Sequence, residues 1–487
     1  MVLSSNLKDT GIMSSKKIIL TQHQQCAFDR MVEFIRNKSL QVFILKGYAG
    51  TGKTTMTRCL IEELERRNHP YKLLASTGRA AKILSNITDR ETSTVHGLIY
   101  KYKGLNQDME EVLSFREKQG KDNGCQLYLN YIQESEETDS EVYNHVDEAS
   151  MIPDKEAKTA RQTQFGSGRL LNDLLNYYAK GKFVFIGDNC QLPPISQRIS
   201  PALSVEYFKE TFNLNAEVFE LTEVMRQERG NDIVQSAHKV RLLYTNPQTW
   251  KWAKIPFKNY KNIHILSSTT DLISQYIKQV KELGYNKATL LGYSNKQCDQ
   301  LTQILRPSFG IHSTELSVGD LLLVTQNNYI SGLMNGDQII ITDILSIEQR
   351  AGLTFLMGAV EELVTHQKFS QLLIAEILYH NQTNLSHEQQ KELLIDFYIR
   401  MRKKGIKQGS HIFNQMMMQD PYLNALRTVF GYAITCHKAQ GGEWEHVYLD
   451  IPRNLPGIDK PYVYQWIYTA MTRASKELYI VDDFWVL

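Results

Sequence analysis

A short apolar run, Val42-Phe43-Ile44-Leu45, leads into Gly47-Tyr-Ala-Gly50-Thr51-Gly52-Lys53-Thr54-Thr55. Few strings constrain a fold so tightly. An apolar run bounded by glycine suits a strand buried on both faces, as in a parallel sheet. The glycines let the backbone turn so that amide N–H groups converge on an anion, and a helix opening near Thr54 turns its positive end toward the same point. The pattern G-x-x-x-x-G-K-[ST] between strand and helix reads as a phosphate-binding loop. Gly47, Gly50, Thr51, Gly52 and Thr55 then belong to the cradle, Lys53 reaches the β and γ phosphates, and the Thr54 hydroxyl ligates Mg²⁺. Met56, Leu60 and Leu64 follow at helical spacing, which suits a helix packed on the sheet. A plain glycine-rich turn ahead of a helix is the competing reading.

Further apolar runs recur at 73–75, 183–186, 288–291, 447–451 and 478–481, with helical patterns between several of them. In 271–284, for example, Ile273, Tyr276, Ile277 and Val280 share a face and Gly284 is the stop. Thr21 reads as the N-cap of a helix carrying Gln24, Phe28, Met31, Val32 and Ile35. Strands alternating with helices predict an α/β fold with helices covering the sheets. Two stretches break the rhythm. Residues 101–141 are polar and end in Glu134, Glu136, Glu137, Asp139 and Glu141. Residues 308–424 open with two β segments, 320–325 and 338–347, around the turn Asn335-Gly336-Asp337, and 361–417 reads as polar helices. Both are expected to be insertions. Within the second, Arg400, Arg402, Lys403, Lys404 and Lys407 cluster; a solvated helix face is the favoured reading and contact with an anionic partner the alternative.

The 487 residues correspond to about three structural units. Lys+Arg 55 against Asp+Glu 53 leaves +2, which excludes a basic tail-type binder and an acidic solvating chain. Cys26, Cys59, Cys125, Cys190, Cys298 and Cys436 form no C-x-x-C pair, so neither a zinc site nor a disulfide framework is expected. No run of about eighteen apolar residues is present, so no membrane span is expected. The polar leader, 1–17, lacks an apolar signal core, and a cytoplasmic location is the expectation.

A nucleotide-hydrolysing loop of this type needs an acid near Mg²⁺ and a group that orients water. Asp147-Glu148-Ala149-Ser150 offers both: Asp147 for the ion through its water shell, Glu148 for the water. A solvated acidic pair at a strand end is the competing reading. Asn144 and His145 precede Asp147 and need hydrogen-bond partners if that strand is central. The run 183–186 leads into Gly187-Asp188-Asn189-Cys190-Gln191-Leu192-Pro193-Pro194. This puts the neutral amide of Gln191 at the C-terminal rim of the sheet, where open α/β sheets bind ligands. Gln191 there either senses a γ-phosphate or belongs to a Pro-stiffened turn.

Taken together, these strings resemble superfamily 1 helicases of the RecD/Dda-like branch, superfamily 1B. Leu20-Thr21-Gln22-His23-Gln24 resembles the family's adenine-reading segment, with Gln24 as the reader. Ser76-Thr77-Gly78-Arg79-Ala80-Ala81 and Thr92-Ser93-Thr94-Val95-His96 are similar to its DNA-contacting motifs, with Ser76 where proline is usual. Leu221-Thr-Glu-Val-Met-Arg226-Gln227, the string from Gly431 through Thr435, His437 and Gly442 to Glu443, and Tyr468-Thr469-Ala470-Met471-Thr472-Arg473-Ala474 complete the order over nearly the whole chain.

The resemblance implies two RecA-like parallel-sheet domains with ATP bound between them, and two inserted subdomains, a pin-type insertion and an SH3-like barrel with helical elaboration. The expected division is 18–100 and 142–214 for the first domain, with the pin at 101–141, and 215–307 and 425–487 for the second, with the barrel at 308–424. It also implies Lys53, Glu148, Gln191 and the fingers Arg226 and Arg473 as catalytic. Gly442 and Glu443 join the nucleotide site. Thr77, His96, Thr435 and His437 are implied as contacts to single-stranded DNA and its junctions with duplex. ATP and Mg²⁺ are the implied cofactors, movement 5′→3′ the implied polarity, and a monomer the expected state. Tyr102, Phe115, Tyr128 and Tyr131 either stack on a base or form a small core. The alternatives are the same engine on RNA, a translocase that does not unwind, and a nucleotide-gated DNA clamp.

Overall fold

The computed structural model describes residues 19–119, 127–133, 141–156, 163–223, 232–246, 254–328, 330–379, 384–452, 460–481 and 486–487. The leader 1–17 and Arg226 lie outside the described residues. The first helix, Gln22–Arg36, starts as expected at Thr21, where a capping box with Gln24 satisfies two orphan donors. Its Ala27, Met31, Phe34 and Ile35 are buried against the first sheet.

Among the described residues the first sheet has six strands, all parallel: Thr92–Thr94, Tyr71–Ala75, Tyr143–Asp147, Lys182–Gly187, Val42–Gly47 and Ala216–Leu221, in spatial order. Val42–Gly47 has a partner on each side, which is why its side chains are apolar on both faces. A second parallel sheet orders Ile263–Leu266, Ala474–Val481, Trp444–Leu449, Ala288–Gly292 and Ala433–Thr435. The helix Thr269–Leu283 covers it; Ser268 caps it, and it stops at Gly284 as the sequence predicts.

Polar residues sit inside the first sheet. Asn144 and His145 are fully buried in Tyr143–Asp147. Asn144 donates to the Val142 carbonyl at 3.2 Å. Both His145 ring nitrogens lack a hydrogen-bond partner among the described residues, and burial pushes the imidazole down to about 4, so it stays neutral.

An antiparallel sheet orders Lys368–Ile374, Leu353–Glu362, Gln338–Arg350, Leu321–Val324 and Thr428–Phe430. A smaller sheet joins Tyr100–Leu105, Leu129–Gln133 and Thr163–Phe165. Sheet membership departs from the expected boundaries in four places. Ala216–Leu221 pairs with Val42–Gly47 and so closes the first sheet, not the second. Thr428–Phe430 belongs to the antiparallel sheet beyond residue 424. Thr163–Phe165 joins the smaller sheet from beyond residue 141. Residues 361–374, expected as helix, complete one strand and form another; the run Leu372-Leu373-Ile374 carries no period that separates helix from strand.

The helices Met109–Gln119, His387–Lys403 and His411–Gln419 meet across the insertions. Met109, Val112 and Leu113 share a buried cluster with Phe397, Met401 and Phe413. The Tyr398 hydroxyl donates to Glu110 at 2.6 Å, and Arg116 pairs with Glu392 at 3.0 Å. The basic cluster is partly consumed in the same packing: Arg400 binds Asp396 and Asp420, and Arg402 binds Glu110. At the other end, Met334 of the antiparallel sheet's turn presses on Gly78, where a Cβ would lie 2.5 Å from the methionine's own Cβ. Lys82 reaches Asp337 at 3.6 Å beside it.

Candidate nucleotide site and nucleic-acid cleft

Val42–Gly47 delivers the phosphate loop at its C-terminal end, and the helix Lys53–Arg66 starts directly after it. Gly50 and Gly52 have φ of 80° and 89°, the left-handed region that favours glycine. Gln24 is buried beneath the loop. Its Nε2 donates to the Thr51 carbonyl at 3.2 Å, while its Oε1 accepts from the Thr21 amide at 3.1 Å. The Thr51 hydroxyl donates to the Tyr48 carbonyl at 2.9 Å. The Lys53 ammonium folds back on the loop and donates to the carbonyls of Gly47 and Tyr48, at 2.8 and 3.1 Å. Thr54 is exposed and Thr55 half-buried.

Asp147 ends the strand two places from Val42–Gly47, and Lys182–Gly187 lies between them. The carboxylates and the loop therefore share one rim. Burial lifts the Asp147 carboxyl well above its ordinary range and the neighbouring charge of Glu148 lifts it further, while the Glu148 amide and Lys53 pull it back. Asp188 is likewise raised by burial, opposed by Lys53 and by a hydrogen bond from Tyr468. Lys53 thus acts on both acids. Glu148 Oε2 and Gln191 Oε1 are buried acceptors without a hydrogen-bond partner among the described residues. A cation beside hard oxygen donors and two unsatisfied acceptors fits a magnesium nucleotide with an attacking water.

The second sheet supplies the opposite wall through the helix Lys460–Met471. The Tyr468 hydroxyl accepts from the Ala49 amide of the phosphate loop at 3.2 Å and donates to Asp188 Oδ2 at 2.7 Å. Thr469 Oγ1 accepts from the Leu192 amide at 2.9 Å. Gln465 Nε2 donates to the carbonyls of Asn189 and Gln191, at 3.4 and 3.3 Å. The Arg241 guanidinium lies 3.6 Å from the centre of the Tyr48 ring. Arg473 is buried and donates to the carbonyls of Gly442 (3.2 Å) and Thr469 (3.0 Å). Glu443 is exposed.

Thr77, His96 and His437 line one cleft of about 690 Å³, together with Pro193, Pro194 and Gln440. Thr435 is not brought there; it is buried and lines a separate small cavity beside Lys438. The Thr77 hydroxyl accepts from the Ala80 amide at 3.2 Å and so caps the helix Gly78–Thr88. His96 packs against Phe165 and Tyr100. His437 meets the Tyr462 hydroxyl at 3.2 Å, and burial lowers its pKa, favouring the neutral ring. A larger cleft of about 1000 Å³ continues past Thr77 and His96 to Tyr100, Phe165 and Asn327.

Sequence reasoning gave no role to Asp188, Tyr468, Arg241 or Trp444. Trp444 receives the Arg79 guanidinium of the first lobe at 4.4 Å. A tyrosine or tryptophan in an apolar run reads as core; only the proximity of the two lobes reveals a polar or cationic partner.

A family model described as an AAA domain matches residues 20–242, and one described as a UvrD-like helicase C-terminal domain matches residues 430–481. The ATP-dependent RecD2 DNA helicase of Deinococcus radiodurans is 24% identical over 453 residues, covering 90% of this chain and 46% of its own. The ATP-dependent DNA helicase dda of Enterobacteria phage T4 is 26% identical over 315 residues, covering 63% of this chain and 61% of its own. The chain thus spans about half to three-fifths of these relatives' lengths. Among solved structures, a Pif1 helicase from Bacteroides aligns over 96% of this chain and 95% of its own, at 15% identity and a TM-score of 0.48. A phosphate loop on one parallel sheet, bonded to a side chain of a second, thus coincides with an AAA-domain match early in the chain and a UvrD-like helicase C-terminal match late in it. Together the two family models and these relatives support a superfamily 1B, RecD/Dda-like, ATP-dependent DNA helicase.

Proposed function

We propose that the chain hydrolyses ATP between two RecA-like lobes to move 5′→3′ along single-stranded DNA and part duplex strands. One observation carries the reading: the phosphate loop of the first sheet is bonded to a side chain of the second, Tyr468 to Ala49. A nucleotide bound there touches both lobes, so its turnover changes how they close.

Lys53 exchanges its loop carbonyls for the β and γ phosphates. Thr54 and Asp147 hold Mg²⁺, which when bound supplies divalent charge beside the phosphates. Glu148 Oε2 accepts a proton from the attacking water, and Gln191 Oε1 orients that water or reports the loss of the γ-phosphate. Arg226 and Arg473 stabilise charge on the transferred group; Arg473 leaves its carbonyl partners to do so. Gln24 reads adenine, and Gly442 and Glu443 border the nucleotide. Thr77, His96 and His437 grip the DNA strand. Hydroxyl and imidazole groups hold backbone without fixing sequence. The smaller sheet and its helix serve as the strand-splitting pin, and the antiparallel sheet as the SH3-like barrel. A monomer in a reducing, cytoplasmic setting suits this reading. Among the described residues no helix is long and apolar enough to cross a membrane.

Strand separation on matched substrates with either a 5′ or a 3′ single-stranded overhang tests the proposal. ATP-dependent release from the 5′-tailed substrate alone is expected. Release from the 3′ tail alone removes the polarity, and stimulation of ATPase by RNA but not DNA removes the substrate.

A further inference from the structure

We infer that Tyr468 is a positioning residue that couples the nucleic-acid cleft to the phosphate loop, acting through Asp188. The inference rests on the proposed DNA-driven ATPase. Its geometry begins at the mouth of the phosphate loop. The Ala49 amide lies within the glycine-bounded cradle, between Gly47 and Gly50, and its acceptor is the Tyr468 hydroxyl at 3.2 Å. That hydroxyl donates in turn to Asp188 Oδ2 at 2.7 Å. The other oxygen of Asp188 accepts from the Cys190 amide at 2.9 Å. Asp188 is 0% and Tyr468 2% exposed, so no water replaces either partner without rearrangement.

Asp188 opens the segment 188–194, and the far end of that segment is the cleft. Pro193 and Pro194 line it, and Gln440, also in its wall, donates to the Leu192 carbonyl at 3.1 Å. The same helix that carries Tyr468 holds the middle of the segment through Gln465 and Thr469. Gln191, between those two anchors, turns an unsatisfied amide oxygen into the buried interior. A strand that displaces Pro193, Pro194 or Gln440 therefore moves a segment whose first residue is tied, through one hydroxyl, to the loop that holds phosphate. Neither Gln465 nor Thr469 reaches the phosphate loop in this way; their partners are Asn189, Gln191 and Leu192. Tyr468 is the member of the trio that bonds to both the segment and the loop.

The test is Tyr468→Phe, which removes one oxygen and keeps the buried ring, with kcat and KM for ATP measured without DNA and with saturating oligo-dT. We expect KM for ATP and the Kd for oligo-dT to stay within about threefold, since no residue of the phosphate loop or of the cleft walls is replaced and the loop loses one hydrogen bond, while DNA-stimulated kcat falls about tenfold or more. Asp188→Asn should act on the same step, and the double variant should lose no more than the worse single one, because both break one unit. Wild-type stimulation in Tyr468→Phe overturns the inference. So does a loss that adds fully to that of Asp188→Asn, or one that appears in KM and melting temperature instead of kcat, which would mark a packing role. A wild-type protein indifferent to oligo-dT refutes the proposed function instead; the inferred coupling then falls with it, and the basal kcat of the two proteins shows whether the hydroxyl serves hydrolysis itself.

Discussion

Lys53→Ala is expected to do more than silence the enzyme. The ammonium caps two carbonyls of its own loop, at 2.8 and 3.1 Å, and stands close enough to Asp147 and Asp188 to favour their charged forms. Alanine leaves both carbonyls and two buried acids without that cation. A hydrogen bond to a charged group contributes about 1.5–3 kcal/mol when well buried. Lys53 is half-buried, so the two bonds together are discounted to about 1–2 kcal/mol. For a unit of about 200 residues that is a fall in Tm of about 2–8 °C. Differential scanning calorimetry of the nucleotide-free proteins, beside a phosphate-release assay, checks both halves. The variant should melt earlier and hydrolyse no ATP. An unchanged or raised melting temperature would refute the caging argument, and wild-type phosphate release would refute the site itself.

Glu148→Gln should bind ATP and DNA yet hydrolyse about 10²–10⁴-fold more slowly in a single-turnover assay, because the amide cannot take the water's proton. Nucleotide affinity in the presence of Mg²⁺ should weaken on acidification at a higher pH than an ordinary aspartate would give. Asp147 must be ionised to hold the ion and its pKa is raised, by burial first and Glu148 second. Removing the second cause by Glu148→Gln should move that midpoint down, which a fluorescent-nucleotide titration across pH will read. Phe413→Ala, which empties a buried site shared by the two insertions, should cost about 3–5 kcal/mol in a denaturant titration; a cost below 1 kcal/mol would mean the cluster is not packed as described.

Local chemistry made much of this molecule legible. The capping box at Thr21, the buried strand Val42–Gly47 and the helix ending at Gly284 each depend on residues within a turn or two of one another. So does the turn at Asn335-Gly336-Asp337, where Gly336 has φ of 97°. What escaped was pairing at a distance. Ala216–Leu221 is half-buried or exposed except at Leu221, a pattern that fits the edge of either parallel sheet, and only its register with Val42–Gly47 decides. The site divides the same way. Lys53, Asp147, Glu148 and Gln191 reach one rim because each follows a strand of a single sheet. Thr435 shared a motif with His437 but lines another cavity, since the chain passes from the strand Ala433–Thr435 into the helix Cys436–Ala439 between them. The polar pair Asn144 and His145 was readable as an anomaly and remains one, a neutral imidazole in a core strand.

The contacts between the two insertions, together with Met334 on Gly78, tie stretches far apart in the chain to one another beside the larger cleft. Leu129 belongs to both places: it packs against the seam around Phe397 and Phe413 and it lines the cleft. Loosening that seam therefore loosens a wall of the cleft, although none of its core residues faces the opening.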